Sequence, residues 1–321
     1  MSRYARQMVL PEVGERGQAR LARASVLVVG AGGLGVPVLQ YLAGAGVGRI
    51  TLVDGDRVEE TNLHRQPLYR MDQIGRPKVE AAAESLAALN PEVTVTALAD
   101  WLDPLNAPGL TAAADLVLDC ADTFAVSLTL SDSCMAAGRP LVSASALGLT
   151  GYAGGFCGPA PSLRAVFPDL PERAATCATA GVLGPVVAMM GTLQAQMALA
   201  VLLGLEPSPL GRLVSLDAAR GRFGGFRFDG APEPLAPLPL IAAGQIAGDD
   251  LVIDLRSEAP LPVTAGALRL DVQDALRFTP PPDTARVVLA CRTGLRAHHA
   301  GTSLQERWPG PIALLAVPPG R

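Results

Sequence analysis

The sequence has few aromatic residues and no excess of positive charge. Aromatic residues make up 4% of the 321 residues and hydrophobic residues 49%, so a buried core must be mainly aliphatic. The chain carries 26 lysines and arginines against 30 aspartates and glutamates, which gives a net charge of −4 at pH 7. A nucleic-acid-binding protein needs a basic surface to neutralise phosphates. The composition therefore argues against nucleic acid as a main partner.

The sequence also lacks paired cysteines and the apolar core of a signal peptide. None of the five cysteines forms a C-x-x-C pair, and an odd, scattered set is typical of a reducing compartment with one or two reactive thiols. The cysteines are Cys120, Cys134, Cys157, Cys177 and Cys291. The N-terminus has charged residues from Arg3 on and no apolar stretch of the kind that forms a signal-peptide core. We predict a cytoplasmic protein in which Cys120 and Cys134 are buried and inert.

No segment has the uniform composition of a membrane span. Residues 182–205 are apolar and long enough to cross a bilayer. The side chains of Thr192, Gln194 and Gln196 interrupt this run, and buried amides are costly in lipid. We predict a core helix at a dimer interface and no membrane partner.

The most informative stretch begins with a short apolar run. Residues 26–29 are Val-Leu-Val-Val, which predicts a buried parallel strand. A G-x-G-x-x-G pattern follows at residues 30–35, and a helix is predicted over residues 36–45. The glycines are Gly30, Gly32, Gly33 and Gly35. They allow the backbone to approach a phosphate, whose charge is favoured at a helix N-terminus.

A second strand, over residues 49–53, ends at Asp54. This acid lies about 20 residues beyond the last glycine, where a ribose hydroxyl would bind. The pattern so far fits a dinucleotide, so an NAD(P)-dependent oxidoreductase is one candidate. Asn62 and Arg65 follow, and they are donors that a triphosphate needs but a pyrophosphate held by the glycine turn does not. These donors favour ATP.

Four motifs occur together in this region. They are G-x-G-G-L-G at residues 30–35, the D-x-D pair of Asp54 and Asp56, N-L-x-R-Q at residues 62–66, and P-K-V-E at residues 77–80. In this order they resemble the ThiF/MoeB/HesA family, the bacterial relatives of ubiquitin-activating enzymes, over residues 3–228. The resemblance implies an α/β fold with a Rossmann-like doubly wound, mostly parallel sheet. It also implies ATP-dependent adenylation of the C-terminal glycine of a ubiquitin-like sulfur-carrier protein of the ThiS/MoaD type.

Two further residues gain a role from the resemblance. Lys78 precedes a predicted helix over residues 79–89, a poor place for a cation because the helix dipole favours anions there. Its side chain either extends into solvent or meets phosphate, and the resemblance implies ATP. Asp122 ends an apolar run over residues 115–122. It either caps the next helix, predicted over residues 124–137, or holds Mg²⁺ as the matching aspartate does in the family.

The N-terminus carries the motif R-Y-x-R-Q from Arg3 to Gln7. On composition alone, Arg6 is a solvated surface residue. The resemblance implies that Arg6 reaches the ATP of a partner subunit, and hence a homodimer.

Two cysteine motifs of the family are missing. Residues 162–165 align with its first C-x-x-C but read Ser-Leu-Arg-Ala, and no second pair follows Phe228. Four thiolates would form a closed zinc site, so we predict no structural zinc. Cys177 lies in a polar loop before a helix predicted from Val182, where a thiolate is favoured. It is either a small buried residue or, as the resemblance implies, a group linked to acyl transfer.

The remaining residues predict a second, short domain. Residues 230–240 contain four prolines, which predicts a semi-rigid linker between an ATP-binding domain at residues 1–229 and a small α/β domain at residues 241–321. In the small domain, Cys291 lies between a predicted strand and a helix predicted over residues 297–307. A cysteine in such a loop is surrounded by backbone N–H groups, which stabilise a thiolate or persulfide. The loop C-R-x-G-x-R resembles that of rhodanese domains. The predicted helix places His298 and His299 at the surface.

The two resemblances together imply an adenylyltransferase, with sulfurtransferase activity at Cys291 as a second expectation. The carrier would belong to a thiamine, molybdopterin or thiolation pathway, and a cysteine desulfurase would be a candidate sulfur donor. The usual acidic-aromatic stretch after Asp254-x-Arg256 is absent. A non-catalytic scaffold that only docks a sulfur donor therefore remains an alternative for the second domain.

Overall fold

Two separate β-sheets organise the protein. The structure is a computed structural model that describes residues 3–170, 181–256 and 258–318. The strands of the first sheet are β1 (Ser25–Val29), β2 (Arg49–Val53), β3 (Thr94–Leu98), β4 (Leu116–Asp119), β5 (Pro140–Leu147), β6 (Thr150–Cys157), β7 (Arg212–Asp217) and β8 (Arg222–Arg227). Their order is β3-β2-β1-β4-β5-β6-β7-β8. The first five are mutually parallel, and β6, β7 and β8 continue the sheet antiparallel.

The strand order reverses between β1 and β4. In a doubly wound sheet the crevice at such a switch point lies beyond the carboxyl ends of the strands, and ligands bind there. The helices around this sheet are α1 (Ala5–Met8), α2 (Gly14–Arg23), α3 (Gly35–Ala45), α4 (Lys78–Leu89), α5 (Ala107–Ala112), α6 (Phe124–Ala137), α7 (Leu163–Val166) and α8 (Gly184–Leu203). Short 3-10 turns occur at Glu60–Asn62 and Met71–Gln73.

Helix α8 is a core helix of the first sheet. Among the described residues it is the one helix whose length and composition would allow it to cross a membrane, and half of its most apolar window is buried within the protein. Its Gln194 side chain is fully buried and donates to the carbonyls of Asp119 and Val142, on β4 and β5. Such an apolar core helix passes the same length test as a membrane span.

The second sheet forms a C-terminal module, which we define as residues 240–318. Its strands and helices are β9 (Leu240–Ile241), β10 (Asp250–Asp254), β11 (Leu268–Arg269), α9 (Val272–Arg277), β12 (Arg286–Cys291), α10 (Leu295–Gln305) and β13 (Ile312–Ala316), with a 3-10 turn at Ala243–Gln245. The strand order is β11-β10-β12-β13-β9, and every pair is parallel. The predicted fold class, a mostly parallel doubly wound sheet followed by a small α/β unit, is confirmed.

Two details of the module differ from the sequence-based picture. Leu240 belongs to β9 and Leu238 is buried in the module core, so ordered packing begins inside the predicted linker at residues 230–240. His298 and His299 were predicted at the surface, but both are half-buried. The Nδ1 atom of His298 is enclosed without a hydrogen-bond partner in the described structure. The reason is that α10 faces the first sheet's helices, which helix periodicity alone does not reveal.

Candidate active site

The glycine-rich segment forms a tight turn between β1 and α3. Gly30 has φ of +101°, and a Cβ there would lie 2.5 Å from the carbonyl oxygen of Cys120 at the end of β4. A Cβ on Gly35 would collide with the carbonyl oxygen of Gly30. The Tyr69 hydroxyl donates to the carbonyl of Ala31 at 2.8 Å and fixes the turn from the other side. Only glycine fits this geometry, which leaves the backbone of the turn open to a ligand.

Asp54 lies against the same turn. One carboxylate oxygen accepts the N–H of Ala31 at 2.6 Å, and the other accepts the N–H of Asp56 at 2.7 Å. Burial raises the pKa of the Asp54 carboxyl above its usual range, against the opposing effect of the Lys78 ammonium. The indole ring of Trp101 lies against Gly55, where a Cβ would be 2.5 Å from the ring. Each carboxylate oxygen retains a lone pair that can accept a ribose hydroxyl.

Lys78 is the first residue of α4 and is 5% exposed. The alternative that its side chain extends into solvent is therefore wrong. Its Nζ donates to a carboxylate oxygen of Asp56 at 2.8 Å. An ammonium has three donors, so the two that remain can bind an anion beside the glycine turn. A buried cation at the positive end of a helix opposes the helix dipole, and this makes the position costly for stability alone.

The N-L-x-R-Q segment packs onto the glycine turn. Asn62 is 8% exposed, and the Arg65 guanidinium donates to the carbonyl of Thr61 at 3.0 Å. A Cβ on Gly33 would lie 3.6 Å from the carbonyl oxygen of Arg65. The sequence reading used Asn62 and Arg65 but missed Gln66. That side chain is 2% exposed, and its Oε1 atom has no hydrogen-bond partner in the described ranges.

Gln66 is a binding candidate because of its neighbour. A Cβ on Gly32 would lie 3.7 Å from the Gln66 Nε2 atom and close to no other atom, so the amide faces an open part of the turn. Buried amides are normally fully hydrogen-bonded. The motif itself was the available signal, since Gln66 is its last residue.

The carboxyl end of β4 carries two aspartates. Asp122 is exposed and lies three residues beyond the end of β4, whereas the predicted strand ran to Asp122 itself. It does not cap α6, whose N-cap residue is Thr123. Asp119 is fully buried and accepts the hydroxyl of Ser143 at 2.7 Å, and burial raises the pKa of its carboxyl. Sequence analysis missed Asp119, which is the last residue of a buried, otherwise apolar strand. The exposed carboxylate of Asp122 fits a hard cation such as Mg²⁺, which prefers oxygen ligands.

The remaining candidate residues are one arginine and several cysteines outside the glycine turn. Arg6 is exposed on α1. Cys177 lies outside the described residues. Cys120 and Cys134 are buried, and burial raises the pKa of both thiols, in agreement with the predicted inert role. Burial also raises the pKa of Cys157 to about 12.

Cys291 ends β12, and α10 begins four residues later. The residue is fully buried, and its Sγ atom accepts the N–H of Ala297 at 3.4 Å. The two loop arginines face Glu258: the shortest nitrogen-to-oxygen distances are 2.8 Å for Arg296 and 4.0 Å for Arg292. Hydrogen bonding from Arg296 lowers the pKa of Glu258 to about 2. The strand–loop–helix placement expected for a sulfur-carrying cysteine is present, with the thiol enclosed.

The fold is shared with a solved enzyme. MccB of E. coli, crystallised with MccA-N7isoASN, superposes with a TM-score of 0.65 at 23% identity and covers 73% of this chain and 74% of its own. MccB with ATP gives a TM-score of 0.63 at 24% identity and covers 71% and 72%. At this identity the likeness shows the fold alone.

Relatives found by sequence share a higher identity with this chain. "Adenylyltransferase and sulfurtransferase MOCS3" of Bos taurus is 49% identical over 229 residues, which are 69% of this chain and 49% of that protein, so the match spans about half of the relative. "Sulfur carrier protein adenylyltransferase" of Thermus thermophilus is 46% identical over 231 residues, 70% of this chain and 85% of that protein. The ThiF family profile matches residues 4–236. The chain belongs to the ThiF family.

Proposed function

We propose that this protein uses ATP to adenylate the C-terminal glycine of a ubiquitin-like sulfur-carrier protein. The observation that carries the proposal is the buried Lys78 ammonium beside Asp56, next to the glycine turn. A dinucleotide site has no need of a buried cation there, whereas a triphosphate does. The names of the bovine and Thermus relatives support adenylation, and the E. coli neighbour with ATP supports the nucleotide.

In the proposed reaction, a carboxylate oxygen of the carrier attacks the α-phosphorus of ATP. The bond to the oxygen that bridges the α- and β-phosphates breaks, and pyrophosphate leaves. The protein contributes position and charge. Asp54 would hold the ribose, while the glycine turn, Asn62, Arg65 and Lys78 would hold the phosphates.

Mg²⁺ is part of this proposal. Asp122 would hold it, because this exposed carboxylate lies at the carboxyl end of β4, beside the switch point. The ion would supply positive charge to phosphate oxygens. The buried Asp119 carboxyl behind it has a raised pKa and is already bonded to Ser143, so it is a poor second ligand.

Nucleotide choice tests the proposal against an NAD(P)-dependent oxidoreductase. We expect Mg-ATP to bind with measurable heat in calorimetry and NAD to give none, because Asn62, Arg65 and Lys78 supply donors for a triphosphate. ADP serves as the matched control and should bind more weakly than ATP. NAD binding at micromolar concentration without any response to ATP would contradict adenylation.

A groove on the antiparallel part of the first sheet supports the carrier as partner. It has a volume of about 550 Å³ and is lined by Tyr152, Phe167, Phe223 and Phe226, with Asp217 and Arg222 at its polar positions. Phe223 and Phe226 are 62% and 54% exposed. Exposed aromatic residues of this kind are typical of protein-binding surfaces. We propose that the folded body of the carrier docks there.

A homodimer and a cytoplasmic location complete the proposal. Val9 and Leu10, which follow α1 and Arg6, are 78% and 52% exposed. Exposed apolar side chains beside Arg6 support a subunit contact at this end of the chain. Arg6 would then reach the phosphates of the neighbouring subunit. The location rests on the scattered cysteines.

Sulfur transfer is the second half of the proposal. A persulfide on Cys291, loaded by a cysteine desulfurase, would attack the acyl carbon of the carrier adenylate through its terminal sulfur, and AMP would leave. The acyl disulfide that forms would need a second thiol to release the carrier thiocarboxylate. The cysteine at the end of β12 and the two nearby arginines support this role.

The two chemistries should separate at Cys291. We expect Cys291→Ser to leave carrier-dependent ATP–pyrophosphate exchange within about twofold of wild type, because the carboxylate is itself the nucleophile. The same change should abolish thiosulfate sulfurtransferase activity. Cys177→Ser is the control and should spare adenylation while blocking any covalent carrier adduct. If mass spectrometry after sulfur loading finds the added sulfur only on Cys177, the module is a docking scaffold.

A further inference from the structure

The N-terminus of α6 is capped by the C-terminal module. The N-cap residue Thr123 makes no side-chain cap bond, and the N–H of Ala125 donates instead to the carbonyl of Thr293 at 3.3 Å. Thr293 lies two residues after Cys291, in the loop between β12 and α10. One of the N–H groups that a helix start leaves unpaired is therefore satisfied from the other sheet's module.

The loop and the helix approach closely at this point. Gly294 has φ of +85°, and a Cβ there would lie 2.9 Å from the Cβ of Ala125. Ala125 is 5% exposed. The next residue, Leu295, packs with Leu128 of α6 and with Leu170 in a buried apolar cluster. The contact thus combines a hydrogen bond with close packing.

Polar contacts fix the connecting segment along the same helix. Arg164 is 7% exposed and donates to both oxygens of Asp132 on α6, at 2.7 and 2.8 Å, and to the carbonyl of Leu238 at 3.3 Å. The N–H and hydroxyl of Ser162 donate to the two oxygens of Glu233 at 2.7 and 2.5 Å. A paired, largely buried arginine with good geometry holds its partners in one arrangement. These contacts therefore hold the module in a defined position against α6.

We propose that the C-terminal module is a positioning element of the adenylation site, acting through the Thr293–Ala125 contact on the segment that carries Asp122. Asp122 precedes Ala125 by three residues, a span of at most about 11 Å. Asp122 lies directly before Thr123, the N-cap residue of α6, so the start of α6 sets its place. The inference rests on the proposed role of Asp122 toward Mg-ATP.

The test uses the full chain with Ala125→Gln. A glutamine fits a helix and adds no charge, but it has no room against Gly294 and should displace the module. Ala136→Gln is the matched control, because Ala136 is exposed on the same helix. We expect amide hydrogen exchange in residues 291–298 to accelerate only in Ala125→Gln. The Mg²⁺ concentration for half-maximal pyrophosphate exchange should then rise about fivefold or more, the scale of a lost helix cap, with the maximal rate less affected.

The outcomes separate this inference from the proposed function. If wild type shows no carrier-dependent exchange, the proposed function fails, and the Mg²⁺ dependence of ATP binding by calorimetry becomes the readout for positioning. A displaced module with unchanged Mg²⁺ dependence in that assay overturns the inference, as does absence of Mg-ATP binding. A module that stays in place in Ala125→Gln also overturns it. If Ala125→Gln does not fold, Leu128→Gln on the same interface takes its place.

Discussion

Carrier-dependent ATP–pyrophosphate exchange should fall roughly 100- to 1,000-fold when Lys78 is replaced by methionine, because the change removes a preorganised cation from the site where phosphate charge develops. Methionine retains the length and apolar stem of the side chain, so the start of α4 should stay packed. The carboxylate that Lys78 leaves behind, Asp56, has half of its side chain exposed and can be solvated. The initial rate of exchange, measured with saturating carrier, gives the size of the effect.

The neighbouring Arg76→Met is the matched control for this change. Arg76 precedes α4, has 43% of its side chain exposed, and pairs with Glu84 of α4 at 2.8 Å. Loss of such a pair should change the rate by less than about twofold. A fall in the maximal rate would show that Lys78 stabilises the transition state. A rise in the KM for ATP alone would limit its role to ATP binding. Exchange above a tenth of wild type in a folded Lys78→Met protein would remove Lys78 from the catalytic set.

Mixing two inactive variants should restore activity if the site is shared between subunits. Arg6→Ala and Asp122→Ala should each be nearly inactive as pure proteins. After random reassociation in equal amounts, half of the dimers contain both chains, and each of these has one site free of both substitutions, so about a quarter of wild-type exchange should return. The measurement is the exchange activity of the whole reassociated mixture, and a different affinity tag on each chain verifies that mixed dimers form.

The control for complementation pairs two defects that lie in one chain's own site. Asp122→Ala mixed with Lys78→Met leaves every site with one defect, so no activity should return. Verified mixed dimers of Arg6→Ala and Asp122→Ala that remain inactive would place Arg6 outside the neighbouring site. Recovery in both mixtures would point instead to residual activity of the single variants.

The sequence predicted the parts of the fold that have strong local signals. The glycine turn and the Asp54 strand end follow from glycine spacing and apolar runs, and the helix predicted over residues 124–137 has the same bounds in the structure. The short elements had no such signal. β9 and β11 contain two residues each, and their strand geometry comes from pairing with distant neighbours.

The site was predicted less completely than the fold for a similar reason. Gln66, Tyr69 and Asp119 act through contacts with residues more than 20 positions away in the chain, such as the bond from Tyr69 to Ala31. A pattern of residue types locates a motif but not what its side chains touch. Lys78 shows the same limit, because only the folded chain distinguishes a solvated lysine from a buried one.

One of the chain's two tryptophans lies beside the first sheet and the other lies in the C-terminal module. Trp101 rests against Gly55 beside the Asp54 carboxylate, and Trp308 packs on the core of the C-terminal module. Because the rest of the chain is poor in aromatics, ultraviolet fluorescence is dominated by these two indoles. Replacing Trp308 with phenylalanine leaves Trp101 as the single intrinsic probe, at the nucleotide crevice. Replacing Trp101 leaves Trp308 as the single probe, in the module. The protein thus offers separate optical signals for ligand binding and for module movement without any attached dye.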